Sequence, residues 1–372
     1  MSGPPAAGGE VPGAVLHIDT GRTWRGGQQQ VFYLHRGLLE RGVDSRLVCS
    51  AGGELLRRCA AQGLPAAGAP LRGEWDVLSA WALARRIRRL RPSLVHAHSS
   101  HAQMLALLAC RLAGARNLVA TRRVDFVPPR HPVNRWKYGG VARWIAISQA
   151  IADILRDFGI PEERLRVVPS GVLPRPADAG AAAAFRRELG VAPDQPLVGN
   201  IAHLADHKGQ TYLVDALQRV LERVPRVRCV IVGQGELEAP LKEQARRLGL
   251  GRHLVFTGFR DDVDAIMEAL DLFVMSSHLE GLGTIVMDAL LAGKPVVATR
   301  TGGIPEIIQD GVHGLLVPPR DPAALAEAVL RLLEDGALAA RLASAGQERV
   351  RNRFGVGAMV QGNLAVYREL LA

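Results

Sequence analysis

The chain reads as an α/β protein made of two consecutive, doubly wound parallel-sheet domains. Three observations carry this. Its 372 residues exceed one comfortable core, because domains run to roughly 100–200 residues. Short β-branched runs alternate with helix-length segments along the chain. The alternation pauses once, over residues 171–184, and then restarts.

In the first half, Ala14–Ile18, Ser45–Val48, Leu94–His98, Leu118–Thr121 and Trp144–Ile147 read as strands. Helix-length segments separate them, such as Gln28–Arg41, where Val31, Leu34 and Leu38 recur at helical spacing. Strand–helix–strand order implies right-handed βαβ units and a parallel sheet. Pro174, Pro176 and a run of small residues form an interdomain linker. Beyond it Leu197–Ile201, Cys229–Val232, Leu254–Thr257, Leu272–Met275, Val296–Ala298 and Leu315–Val317 read as strands. Val356–Ala372 reads as an amphipathic helix able to cross back to the first domain. The expected division is therefore residues 1–176, residues 177–355 and a closing helix over 356–372. Such sheets bind ligands at the carboxyl edges of their strands. Two of them facing a central cleft suit a reaction that joins two substrates, although fold alone does not establish chemistry.

Composition narrows the class. Hydrophobic residues make up 48% and charged residues 22%, which excludes a disordered or fibrous chain. The formal net charge is +10, yet only Lys137, Lys208, Lys242 and Lys294 among the 46 basic residues are lysines. This balance suits an anionic membrane surface or phosphorylated substrates, and equally a solvated arginine-rich surface. Trp81–Leu90 is a basic amphipathic segment. A core-facing helix with a solvated arginine face is favoured there over a membrane-surface role. Cys49, Cys59, Cys110 and Cys229 form no CxxC pair, so a reducing, cytoplasmic setting is expected rather than a disulfide framework. Met1–Pro12 has no basic, then apolar, leader pattern. No apolar stretch reaches the roughly 18 residues of a membrane span.

The most informative segment is residues 276–319. A buried strand ends in Ser276 and Ser277, and the turn Glu280-Gly281-Leu282-Gly283-Thr284 opens a helix. Glycines allow close backbone approach, and free N–H groups at a helix start bind anions such as phosphate. Glu280 precedes that helix and Asp288 lies about one turn inside it. An acid beside a phosphate site commonly holds ribose hydroxyls. Taken alone, a Gly-rich turn is more often an ordinary strand–turn–helix. The segment resembles the Glu-x7-Glu signature of retaining family 4 glycosyltransferases, followed in order by GKPVVA, GGIPE and GLLVPP blocks. The resemblance covers nearly the whole chain from Ala14 and is strongest in the C-terminal half. It implies the GT-B fold, with the nucleotide-sugar donor on the second domain and the acceptor on the first. It also implies that Glu280 lies by the donor sugar, that Asp288 binds ribose, and that the amides of Gly281, Leu282, Gly283 and Thr284 cradle the diphosphate. Aspartate in place of the usual second glutamate keeps the carboxylate and shortens its reach.

A second block, residues 197–217, carries His203 and Lys208 in a strand-to-helix loop. Lysine is a compact charge suited to phosphate, although loop lysines are commonly just solvated. The family has an Arg five residues before a Lys-Gly pair, both binding pyrophosphate. Lys208-Gly209 fits, and His203 replaces the Arg. The Val232–Glu236 turn carries GxG without a third glycine and is read as a plain strand-to-helix turn. Phe259 and Arg260 resemble the stretch that meets the nucleobase. Asp262-Val263-Asp264 mimics a metal-binding DxD but is read as a cap for a helix over Asp264–Leu270. GT-B enzymes generally need no catalytic metal, so no metal is expected and no cofactor beyond the nucleotide-sugar co-substrate.

In the first half, Gly26 and Gly27 sit before a helix, where the family's Gly-Gly loop touches donor phosphate or acceptor. His96, His98 and His101 close a strand. As HxHxxH they suggest a zinc hydrolase. Ser100 then stands where an Asp is usual. As a family 4 strand end, His98 or His101 is the reaction-centre histidine, and His96 is a packed strand residue. Arg122 and Arg123 either grip an anionic acceptor or are plain surface. The resemblance implies sugar transfer with retained configuration in envelope polysaccharide or glycolipid synthesis. The basic balance, and not the resemblance, suits peripheral contact with an anionic, cytoplasmic membrane face, and no nucleic-acid partner is expected. Alternatives are a GT-B sugar-nucleotide epimerase, the zinc hydrolase and a non-catalytic sugar-nucleotide binder.

Overall fold

The computed structural model describes residue 11, residues 13–174 and residues 178–372. The chain forms two units. One comprises the chain up to Gly171 together with Val356–Ala372, and the other runs from Val172 to Gly355. Pro176 and the boundary expected at 176/177 lie outside the described residues.

The first unit holds β1 (Val15–Asp19), α1 (Gly26–Leu39), β2 (Ser45–Ser50), α2 (Glu54–Ala61), β3 (Ala66–Ala69), α3 (Val77–Leu90), β4 (Leu94–Ala97), α4 (Ser100–Ala113), β5 (Leu118–Arg122), α5 (Pro132–Gly139), β6 (Arg143–Ala146), α6 (Gln149–Phe158) and β7 (Leu165–Val167). The second holds α7 (Ala179–Glu188), β8 (Leu197–Ile201), α8 (Gln210–Arg223), β9 (Arg228–Val232), α9 (Glu238–Arg247), β10 (Leu254–Gly258), α10 (Val263–Ala269), β11 (Leu272–Met275), α11 (Thr284–Leu291), β12 (Val296–Thr299), α12 (Ile304–Ile307), β13 (Leu315–Val317), α13 (Pro322–Glu334) and α14 (Gly336–Arg353). The closing helix α15 (Val356–Leu371) belongs to the first unit.

Both sheets are parallel, in the order β3-β2-β1-β4-β5-β6-β7 and β10-β9-β8-β11-β12-β13. The doubly wound α/β reading is thus borne out. Each sheet reverses its winding once, between β1 and β4 and between β8 and β11. Such a switch point opens a crevice at the carboxyl ends of the two strands. Two strands escaped the sequence reading, β3 (AAGA) and β7 (LRV). Both are edge strands. Short edge segments are held by one neighbour's backbone and need little propensity of their own.

Helices cover the sheets for local reasons. α3 starts four residues earlier than the basic stretch suggested, because the Asp76 carboxylate accepts from the Ser79 amide at 3.0 Å. Its Ala80, Leu83, Ala84 and Ile87 face the core. Ser99, Ser148, Asp321 and Asp335 likewise cap α4, α6, α13 and α14. In the first unit, Met359, Val360 and Leu364 of α15 join Leu34 and Leu38 of α1 in one apolar cluster over β1 and β4. Gln30 of α1 clamps Gly171 through both its amide atoms, at 2.7 and 2.8 Å. Val172 donates to the Phe354 carbonyl at 2.8 Å and bridges Gly355. The two chain passages therefore run side by side. All four cysteines are free and buried. Among the described residues, no helix is long and apolar enough to cross a membrane.

Candidate functional site

The loops after β8 and β11 meet at the second sheet's switch point. After β8 the chain passes His203, makes a single 3-10 turn over Asp206–Lys208 and enters α8 through Gly209. Gly209 has φ +64°, and a Cβ there would lie 2.2 Å from the Ser276 carbonyl oxygen. Only glycine combines that left-handed backbone with that closeness. The approach is stitched further. Ser276 Oγ donates to the Lys208 carbonyl at 3.1 Å, and the His278 amide donates to the His207 carbonyl at 2.9 Å. Lys208 Nζ therefore lands 2.7 Å from Glu280 Oε2, and both side chains are largely covered. Ser277 Oγ lies 3.4 Å from the same oxygen.

A third sequence block supports Glu280 from below. Gly302 has φ +50°, and a Cβ there would sit 1.6 Å from the Glu280 carbonyl oxygen. The next amide, of Gly303, donates to that oxygen at 3.3 Å. Glu280 leads through the buried Gly281, Leu282 and Gly283 into α11. Gly283, at φ +90°, occupies the cap position and offers no side-chain acceptor. The opening turn of α11 thus has no side-chain cap, a setting suited to an anion. Thr284 starts the helix and Asp288 lies four residues on, both half-buried.

Three candidates are placed less simply. His203 is exposed and lies 3.4 Å from Glu236. Phe259 is exposed. Arg260 is committed to Glu188 at 2.8 Å and Asp262 at 2.7 Å, over the Phe185 ring. The cap expected of the Asp262–Asp264 stretch needs correction. Asp262 occupies the cap position of α10, but its carboxylate takes Arg260 instead of a helix amide. That contact holds its acidity below the usual carboxylate range.

The first sheet's switch point is built from buried, uncharged rings. Parallel register sets His17 of β1 beside His96 of β4. Alternation along the strand brings His98 to the same face. His17 Nδ1 and His98 Nε2 are 2.9 Å apart. His96 spends both nitrogens on hydroxyls, Tyr367 at 2.6 Å and Thr121 at 2.7 Å. Burial drives all three imidazoles well below their ordinary titration range. Asp19, at the end of β1, accepts from the Gly21 amide at 2.8 Å and Gln28 Nε2 at 3.1 Å, and burial raises its pKa. Arg123 reaches Ser170 at 3.1 Å, and burial lowers it to about 10.

Several first-half expectations change. His101 is not in the histidine cluster. It faces solvent on α4, 3.9 Å from Glu74, because the strand ends at Ala97 and the helix turns it away. The HxHxxH set is therefore not a metal site. His17, which the motif did not include, completes the cluster, with ligand-type atoms within 4.8 Å. Arg122 is neither surface nor accessible. It is buried against Tyr138 at 2.6 Å and the Phe126 carbonyl. Gly26 and Gly27 open α1 behind Arg25, which provides no side-chain cap. Asp19, Gln28 and Ser170 were not singled out from sequence. The signal for Asp19 was its place at the end of the first strand.

Comparison with known proteins agrees with this architecture. The family model for group 1 glycosyl transferases matches residues 182–349, and that for glycosyltransferase family 4 matches residues 24–174. An uncharacterised glycosyltransferase of Methanocaldococcus jannaschii is 28% identical over 231 residues, 60% of this chain and 59% of that one, somewhat under two thirds of its length. The 2-deoxystreptamine glucosyltransferase of Streptomyces kanamyceticus is 28% identical across 92% of this chain and 99% of its own. The GDP-mannose-dependent α-(1-6)-phosphatidylinositol monomannoside mannosyltransferase of Mycolicibacterium smegmatis is 34% identical, over 65% of this chain and 68% of its own. Among solved structures, Anabaena Alr3699/HepE in complex with UDP-glucose superposes with a TM-score of 0.83 at 25% identity, covering 96% of this chain and 99% of that one. Two family models lying end to end over two parallel-sheet units, together with relatives of this identity and coverage, place the chain in the GT-B glycosyltransferases of group 1, family 4.

Proposed function

We propose that the chain transfers a sugar from a nucleoside-diphosphate sugar to an acceptor hydroxyl, with retention of configuration and without a metal. The Lys208–Glu280 pair beside the uncapped start of α11 carries this reading. In the proposed reaction the bond from the anomeric carbon to the diphosphate oxygen breaks, and its electron pair leaves with the diphosphate. Lys208 and the Gly281–Thr284 amides take up that charge, the electrostatic contribution that usually dominates such steps. The acceptor oxygen then bonds to the same face of the sugar, and its proton passes to a phosphate oxygen. Glu280 orients the sugar hydroxyls and stabilises the oxocarbenium-like carbon, while Asp288 holds ribose. Lysine serves as the diphosphate's cation, and Asp262 of the DxD mimic is already spent on Arg260. The complex of HepE with UDP-glucose supports a nucleotide sugar as donor and makes a uridine nucleotide the first to test. Acceptors in envelope polysaccharide or glycolipid synthesis, on the cytoplasmic membrane face, fit the basic charge. On the acceptor side, Arg123 and His98 stand at the first sheet's switch point.

Thermal-shift titration with UDP, GDP, ADP and NAD, with and without EDTA, tests the donor site. A ligand at 100 times its Kd stabilises by roughly 2.7 kcal/mol. The expected result is stabilisation by one nucleoside diphosphate, indifferent to EDTA and lost in Lys208→Ala. Silence toward every nucleotide, with strong destabilisation by EDTA, would overturn the reading and point to the His17/His96/His98 cluster.

A further inference from the structure

We propose that His17 is a positioning residue. Through the 2.9 Å contact between its Nδ1 and His98 Nε2 it holds the His98 ring in the Nδ1–H form, an uncharged donor to a substrate hydroxyl oxygen at the carboxyl edge of the first sheet. The substrate clause rests on the sugar-transfer reading, and the tautomer does not.

The backbone of His98 is set without help from the His17 side chain. Its amide donates to the Ile18 carbonyl at 3.0 Å, and one residue on, Ser99 Oγ meets Thr20 Oγ1 at 2.8 Å. The chain passages after β1 and β4 are thereby tied together. What remains to be fixed is the ring. It lies against His96 with ring centres 3.9 Å apart, and against His17 at 5.2 Å with the planes inclined by 26°. His96 does not compete for His98 Nε2, because both its own nitrogens are spent on Tyr367 and Thr121. His17 Nδ1 is therefore the group that meets His98 Nε2, and a flip of the His98 ring would break that contact. The two outer nitrogens, His17 Nε2 and His98 Nδ1, are buried and have no hydrogen-bond partner among the described residues. The nitrogen that carries hydrogen on an imidazole is set by the bond its other nitrogen makes.

Proton number decides which ring donates. Burial keeps both rings neutral, and two neutral imidazoles carry two N–H groups and two lone pairs. The contact between them takes one of each. One outer nitrogen therefore bears hydrogen and the other is bare. A buried N–H without an acceptor forfeits a whole hydrogen bond, and such orphans are rarer than unmet acceptors. His17 is sealed in the middle of β1, whereas His98 lies beyond the end of β4 at Ala97 and keeps 4% exposure. Of the two outer nitrogens, that of His98 is the one a ligand oxygen can reach. The hydrogen sits there, and His17 donates through Nδ1 to His98 Nε2. An uncharged donor suits a neutral hydroxyl, while the charged partner for phosphate is Lys208 on the second sheet. His17 itself touches no substrate and acts through His98.

The test is a long-range nitrogen–proton NMR correlation spectrum of the full chain, isotope-labelled at histidine, with the His98 signals assigned by their loss in His98→Gln. Expected is His98 in the Nδ1–H form. That form should persist in His17→Asn, whose amide nitrogen takes the place of ring Nδ1, and be lost in His17→Leu. His98 in the Nε2–H form would overturn the proposal, as would a tautomer that His17→Leu leaves unchanged. The wild-type spectrum alone decides the first point, so the test survives a variant that does not fold. The kinetic readout is release of UDP from UDP-glucose, the ligand of the HepE complex, with water as acceptor. His17→Leu should lower kcat by roughly tenfold, the worth of one neutral hydrogen bond, with stabilisation by UDP unchanged. His17→Asn should restore most of that rate. In a His98→Ala background, His17→Leu should cost nothing further. Equal losses in His17→Leu and His17→Asn, or full additivity with His98→Ala, would reduce His17 to packing and overturn the proposal. Absence of turnover by the wild-type chain, with the tautomer as expected, would instead strike the sugar-transfer reading alone.

Discussion

The two switch points share a topology and differ in chemistry. In the second sheet, the loops after β8 and β11 bring a lysine and a glutamate together as a charged pair that solvent still reaches. In the first, the ends of β1 and β4 bring together three imidazoles that burial keeps neutral, with Asp19 and Arg123 nearby. Parallel sheets supply the crevice in both cases. Whether charge survives there depends on how far the loops lift the side chains away from the sheet. Lys208 and Glu280 stand on loops, beyond the strand ends. His17 and His96 are strand residues sealed by α1 and α15. A charge-neutralising site and a precisely packed neutral one thus arise from the same winding.

The largest effect should come from uncoupling the charged pair. Glu280→Gln should reduce transfer by roughly a thousandfold, about 4 kcal/mol in the barrier. Because Lys208 is then released from its partner, UDP binding measured by calorimetry should hold or tighten. Transfer near the wild-type rate would show that the carboxylate does not act on the sugar. Next is the backbone beneath the pair. Gly209→Ala forces a Cβ onto the Ser276 carbonyl at a left-handed position, costing roughly 2–4 kcal/mol in denaturant unfolding. An unchanged midpoint would mean that the loop relaxes freely.

The neutral cluster should show itself in pH dependence. His17, His96 and His98 are held below their ordinary range, and His35 falls to about 4. Below about pH 6.5 the unfolded chain takes up protons that the folded one refuses. Stability is therefore full above that pH and falls as pH drops through it, by on the order of 1.4 kcal/mol per histidine per pH unit. Asp19 works in the opposite direction, because burial raises its pKa and the folded chain therefore takes up that proton before the unfolded one as pH falls. Replacing His17 with Gln should flatten the slope between pH 6.5 and 5, and an equally steep slope would show that this ring titrates in the fold. The smallest effect is expected at Tyr367→Phe. It removes the hydroxyl that meets His96 at 2.6 Å and should cost about 1 kcal/mol.

Much of this was legible before folding. The six strands of the second sheet were all placed from apolar runs, because buried parallel strands read as continuous hydrophobic segments. Lys208-Gly209 and Glu280 stood out through their resemblance to the family's Lys-Gly pair and Glu-x7-Glu signature, since a Gly-rich turn or a loop lysine taken alone reads as ordinary. The edge strands β3 and β7 were missed because a partner's backbone, and not their side chains, holds them. His101 was grouped with His96 and His98 by spacing, although strand periodicity ended at Ala97. Arg122 was weighed as surface or ligand grip, since a buried arginine is announced only by partners such as Tyr138, sixteen residues away.

The sequence by itself determined two α/β halves built of βαβ units and the glycine-marked turns. These follow from local rules, the periodicity of side chains along strands and helices and the steric freedom of a missing Cβ. Tertiary structure alone decided that Lys208 meets Glu280 across 72 residues, that His17 completes the ring cluster across 81, and that Tyr367 of α15 closes over His96 across 271. Those contacts depend on which strands become neighbours. Strand order and register set that, and no local pattern in the chain encodes it.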